Sequence, residues 1–140
     1  MRLITRLFFL FLPFLLHAEE SIHLNNVHIY RYPNSVSRAV PPGIIPESSQ
    51  IIHSTELRSF GIENSEISVI LKNPMNTEQL LMYYEVLLKG MEWKILQKEK
   101  KENKTILLAE SQVKKIVTLI IYPDNEFSLV KIFLRRNYNF

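Results

Sequence analysis

The sequence predicts an α+β fold: one amphipathic helix packed on a mostly antiparallel sheet of about five to six strands. Three observations carry that expectation. Leu80, Tyr84, Leu87, Leu88 and Met91 recur at i, i+4, i+7, i+8 and i+11, a single apolar stripe with helical spacing. Short alternating runs lie on both sides of it. The turns after residue 93 ("EKKEN", "SQV" and "PDNE") have hairpin lengths and are too short for crossovers.

The chain opens with "MRLITRLFFLFLPFLLHA". Arg2 and Arg6 precede an apolar run from Leu7 to Leu16, and Ala18 supplies a small residue for cleavage. This is the layout of a secretory signal peptide over 1–18. The run is short of the roughly 20 apolar residues that span a bilayer. No stable membrane insertion is therefore expected once it is removed. The 17 Lys+Arg then fall to 15 against 14 Asp+Glu, so the basic balance nearly disappears. There is no cysteine, hence no disulfide and no lipid-bearing cysteine. The expected location is periplasmic or secreted.

Residues 19–26 read as a flexible leader before a single α+β domain over 27–140. "VHIYRYP" is a short strand ended by Pro33, with turn chemistry in Asn34 and Ser35. Residues 35–60 form a proline-containing extended segment; Pro41, Pro42, Gly43 and Pro46 exclude a regular helix. A short strand is expected at 50–54, and "RSFGIENSE" reads as a loop. "EISVILKNP" alternates and is ended by Asn73 and Pro74. Asn76 and Gln79 are spaced as a capping box, and Glu78 sits where the helix dipole favours it. Gly90 is expected to stop the helix in a left-handed conformation. Strands then follow near 93–98, 104–110, 115–122 and 127–135.

The strand "KIVTLIIYP" is apolar on both faces: Ile116, Ile120 and Tyr122 on one, Val117, Leu119 and Ile121 on the other. Such a strand is usually central and covered twice. The helix supplies one cover. The second would be the 35–60 segment, a partner, or a second copy of the chain.

Chemistry is sparse. His23, His28 and His53 show no close pair at ligand spacing, so no metal site is expected. Three glycines exclude a phosphate-binding glycine-rich loop, and no serine sits in a nucleophile elbow. No catalytic residue and no cofactor is nominated. Glutamates interleave with the lysines at 94–115, which argues against nucleic acid. Tyr138 and Phe140 end the chain as an outer-membrane strand does, but one helix and a proline-rich third do not fit a barrel.

Tyr32-Pro33-Asn34-Ser35, the pair Tyr83-Tyr84, and Leu87, Gly90 and Trp93 in "L-x-x-G-x-x-W" carry a resemblance. On these the chain resembles small uncharacterised exported bacterial envelope proteins over roughly 30–135. The resemblance implies a helix–strand junction, a hairpin sheet and an envelope location. It brings no catalytic residues. Many members are lipoproteins, a property that needs the cysteine missing here.

The functional expectation is a non-catalytic periplasmic or secreted interaction module. It would bind an envelope protein or itself through the sheet face, a sheet edge or the proline-rich segment. Tyr83, Ile116, Ile120 and Tyr122 are the candidate contact residues. The alternatives are a small envelope enzyme, with a site where the 35–60 segment crosses the sheet, and a carrier of a small apolar ligand held between helix and sheet.

Overall fold

The computed structural model describes residues 20–59 and 64–136. Residues 1–18, expected to be a signal segment, and the aromatic tail residues Tyr138 and Phe140 lie outside them. Eight strands and one helix follow in chain order: β1 Glu20–Leu24, β2 Val27–Arg31, β3 Gln50–Ser59, β4 Asn64–Asn73, α1 Thr77–Gly90, β5 Lys94–Lys101, β6 Lys104–Glu110, β7 Lys115–Asp124 and β8 Phe127–Arg136. All pairings are antiparallel, in one sheet ordered β1-β2-β3-β4-β8-β7-β6-β5. The class is α+β, as expected, but the sheet has eight strands where five to six were expected.

The difference lies at the N-terminal end of the sheet. Glu20–Leu24, expected within a flexible leader, is an exposed edge strand paired with β2. Its charged start hides the alternation. β3 runs to Ser59, well past the expected stop at residue 54, so Arg58 and Ser59 belong to a strand and not to a loop. The inward positions at and beyond that stop are polar or charged (Ser54, Glu56 and Arg58), which conceals a strand from a search for apolar alternation.

Three hairpins close over two residues: Leu24 pairs with Val27, Lys101 with Lys104, and Asp124 with Phe127. Asn25 and Asn125 take positive φ (49° and 52°) in two of them. Asparagine tolerates that region better than most residues.

The helix forms where the stripe predicts. The Asn76 side chain accepts from the Gln79 backbone N–H, and the Gln79 side chain accepts from the Asn76 N–H, completing the capping box. Leu80, Tyr84 and Leu88 are fully buried. The expectation for Gly90 is corrected: it is the last helical residue, and the left-handed position is Glu92, at φ 59°. Trp93 N–H donates to Leu88 O at 2.9 Å and Glu92 N–H to Lys89 O at 3.0 Å. That is a Schellman ending with a glutamate where glycine is favoured.

The core lies between the sheet and its cover. Directly paired residues in an antiparallel ladder point to the same face. On the helix side Val117 pairs with Leu134 and Leu134 with Ile67; Leu119 pairs with Ile132 and Ile132 with Val69. α1 contacts β5, β6 and β7. Residues 32–49 extend the cover on that same side, with Ile44 fully buried in the core cluster and Val36, Val40 and Ile45 packed against it.

The segment is fastened at several points. Tyr83 and Tyr84 hydroxyls donate to Gly43 O (2.6 Å) and Ile44 O (3.2 Å). Asn73 Nδ2 donates to Glu47 O and Ser49 Oγ. Gly43 has φ 83°, and a Cβ there would stand 3.0 Å from Leu87 Cδ1, so both the backbone and the close approach call for glycine. The proline-containing segment therefore does not cover the second face of the sheet.

Candidate functional site

The second face is built from the alternate residue of each strand. One row reads across the sheet through consecutive pairs: Arg31, Thr55, Ser68, Phe133, Thr118 and Leu108. These side chains are only partly buried or exposed, in contrast to the sealed helix side.

A cleft of about 600 Å³ opens on this face across β2, β3, β4, β8 and β7. Its apolar floor is Ile29, Leu57 and Phe133, the last 43% exposed. Thr55, Ser68 and Thr118 add three hydroxyls. Glu66 and Arg135 lie one residue beyond the Ile67–Leu134 pair on adjacent strands. One end of the cleft thus carries a carboxylate and a guanidinium. Small-molecule sites typically span roughly 300–1,000 Å³ and combine an apolar lining with a few placed polar groups. The arrangement suits binding by apolar contact plus hydrogen bonding.

The nominated contact residues divide. Ile116, Ile120 and Tyr122 all lie on the open face, Ile116 buried at 7% exposure and the other two half-buried. Lys131 Nζ stands 5.4 Å from the centre of the Tyr122 ring. None of the three lines the cleft; the β7 contribution is Thr118, between Ile116 and Ile120. Tyr83 does not join them. It sits on α1, half-buried, with its hydroxyl committed to Gly43 O. Burial, then the Glu47 charge, raises its pKa. Its role is to brace the loop. Ile29, Leu57, Glu66, Phe133 and Arg135 were missed. Phe133 and Arg135 alternate with the core residues Ile132 and Leu134, a signal present in "IFLRR".

A second polar cluster lies on the helix side of β3. The Glu56 side chain is 1% exposed and accepts two bonds from Arg58, Nε to Oε1 at 2.8 Å and Nη2 to Oε2 at 2.9 Å. Tyr32 Oη donates to Oε2 at 2.9 Å. Burial pushes the carboxyl pKa up, but the bonds from Arg58, Ser37 and Tyr32 outweigh it and the net direction is down. His53 belongs to the opposite face, since it pairs with Ile70, which pairs with Lys131 and so lies on the open side. Where the loop crosses the sheet, a carboxylate therefore meets a guanidinium and a phenol. The arrangement binds Ser37 and Tyr32 to β3.

The expectation of no close histidine pair is also corrected. The β1–β2 hairpin sets His23 directly opposite His28, ring centroids 4.1 Å apart, on the helix-side face beyond the core. Spacing along the chain, five residues, gave no hint without the turn.

Between helix and sheet, where one alternative would place a ligand, lie the fully buried Leu80, Tyr84, Leu88 and Ile44. No helix of the described residues is long and apolar enough to cross a membrane. No family model, curated protein or solved structure matches the chain.

Proposed function

We propose that the protein is an exported, non-catalytic binding module whose ligand seats in the cleft on the sheet face opposite the helix. The observation that carries this reading is the cleft itself: about 600 Å³, with Ile29, Leu57 and Phe133 as floor and Glu66 and Arg135 at one end. Export rests on the signal layout of residues 1–18, and the envelope setting on the resemblance carried by Tyr32-Pro33, Tyr83-Tyr84 and Trp93. The partner is an envelope protein segment, or a second copy of the chain, that lays apolar side chains on the floor and polar groups against Arg135, Glu66 and the hydroxyls. A carrier role for a small apolar ligand remains the second reading. The volume and the aromatic floor favour it, now at the open face.

The test is binding of an anionic naphthalene-sulfonate dye, followed by fluorescence, in the parent protein and in Phe133→Asp. Near-ultraviolet circular dichroism verifies that the variant is folded. Saturable binding lost in a folded Phe133→Asp supports the cleft. Equal binding in both proteins sinks it. Light scattering over a concentration series separates the partners: dye release on self-association identifies a second copy.

A further inference from the structure

We propose that the β1–β2 hairpin carries a two-histidine site for a divalent d-block cation, formed by His23 and His28, and that the bound ion clamps the edge strand to the sheet. The site is separate from the cleft. It lies on the other face and uses none of the cleft's residues.

The geometry comes from the hairpin. A two-residue turn fixes the register, so His23 and His28 are held directly opposite one another. Their Nδ1 atoms stand 2.5 Å apart. Two imidazole nitrogens sharing one tetrahedral ion at about 2.0–2.1 Å stand roughly 3.3 Å apart. A small rotation of the exposed His23 ring against the half-buried His28, whose Nδ1 also lies 3.5 Å from Tyr30 Oη, opens that gap. Tyr30 sets the orientation of the pair: its ring stacks on His28 (centroids 6.2 Å, 29°) and meets His23 edge-on. Arg58 holds the Tyr30 ring in turn, 4.5 Å from its centre, and the Arg58 charge is itself engaged by Glu56. The nearest guanidinium is therefore already paired.

The donor set identifies the class of ion. Imidazole suits copper, nickel and zinc, whereas magnesium and calcium require oxygen ligands. Among the described residues no group of three or more His, Cys, Asp or Glu is placed to hold a metal. Water fills the remaining positions, and the order of affinity follows the general one, with Cu²⁺ above Ni²⁺ and Zn²⁺. The mechanical consequence follows from topology. β1 is exposed along its whole length and, among the described residues, pairs only with β2, so a cross-link at His23–His28 holds the least supported strand in the sheet.

The full-length protein is titrated with CuCl₂, NiCl₂, ZnCl₂ and MgCl₂ by calorimetry, alongside His23→Ala, His28→Ala and His53→Ala. Expected is one-to-one binding of Cu²⁺, weaker binding of Ni²⁺ and Zn²⁺, and none of Mg²⁺. Affinity falls at least tenfold in each of the first two variants and is unchanged in His53→Ala. Hydrogen exchange of residues 20–31 slows with Cu²⁺ in the parent alone. Absence of binding, or binding that survives both hairpin substitutions, overturns the site. Binding at the pair without slowed exchange overturns the clamp.

Discussion

β7 presents two faces made of the same kinds of residue in different surroundings. Val117, Leu119 and Ile121 are sealed beneath α1 and the 32–49 loop; Ile120 and Tyr122, their neighbours in sequence, remain half-exposed. Composition alone does not explain the difference, since Ile116, Ile120 and Tyr122 give the open face large side chains too, with Thr118 the one small polar residue among them. The contrast comes from where the cover is fastened. Tyr83, Tyr84 and Asn73 hold the loop on the helix side, leaving the opposite face to its own strands. An apolar strand face therefore states a demand for cover without stating what meets it.

Substitution on the two faces gives the largest and most direct contrast. Leu119→Ala should cost about 2–5 kcal/mol, through lost transfer energy and a cavity, measured by urea unfolding. Ile120→Ala should cost about 1 kcal/mol, because part of that side chain is already in water. Equal losses would break the comparison and mean that the second face is also sealed.

Next comes the polar end of the covered side. Glu56→Gln should cost about 1–3 kcal/mol at pH 7, since hydrogen bonds to a charged acceptor are lost. Half-exposure of Arg58 screens the pair and limits the loss. The folded carboxyl pKa is lowered from the ordinary value of 4.5, so its stabilisation is present above that value and lost as pH falls through the folded one. The gap between parent and variant should close on acidification. A gap that holds constant from pH 7 to pH 3 would contradict the role given to Glu56.

The smallest effect sharpens the account of the helix end. Gly90 is helical, and a Cβ there meets nothing within 4 Å. Gly90→Ala should stabilise by about 0.5–1 kcal/mol, seen as a raised melting temperature. A destabilised variant would restore the stop that the sequence suggested at Gly90 and contradict the ending at Glu92.

Legibility followed chemistry. The helix, its capping box and the last four strands were readable because apolar periodicity, Asn76–Gln79 spacing and short turns are local signals. β1 and the second half of β3 were not, since exposed or inward-polar strands erase alternation. The open face was readable from β7 alone; the cleft in it was not, because five strands contribute and register decides which residues meet. The histidine pair needed the β1–β2 turn, which the charged start of β1 concealed.

The two margins of the sheet are unlike. β5 carries Lys94, Lys98, Lys100 and Lys101 along its outer edge, a defence against pairing with another chain. β1 carries Ile22 and Leu24, 58% and 60% exposed, and no lysine. Growth by edge-to-edge addition needs two compatible ends. Where the β1 edges of two molecules meet, the same edge faces itself about a twofold axis. Such joining closes at a pair and cannot run on into a filament.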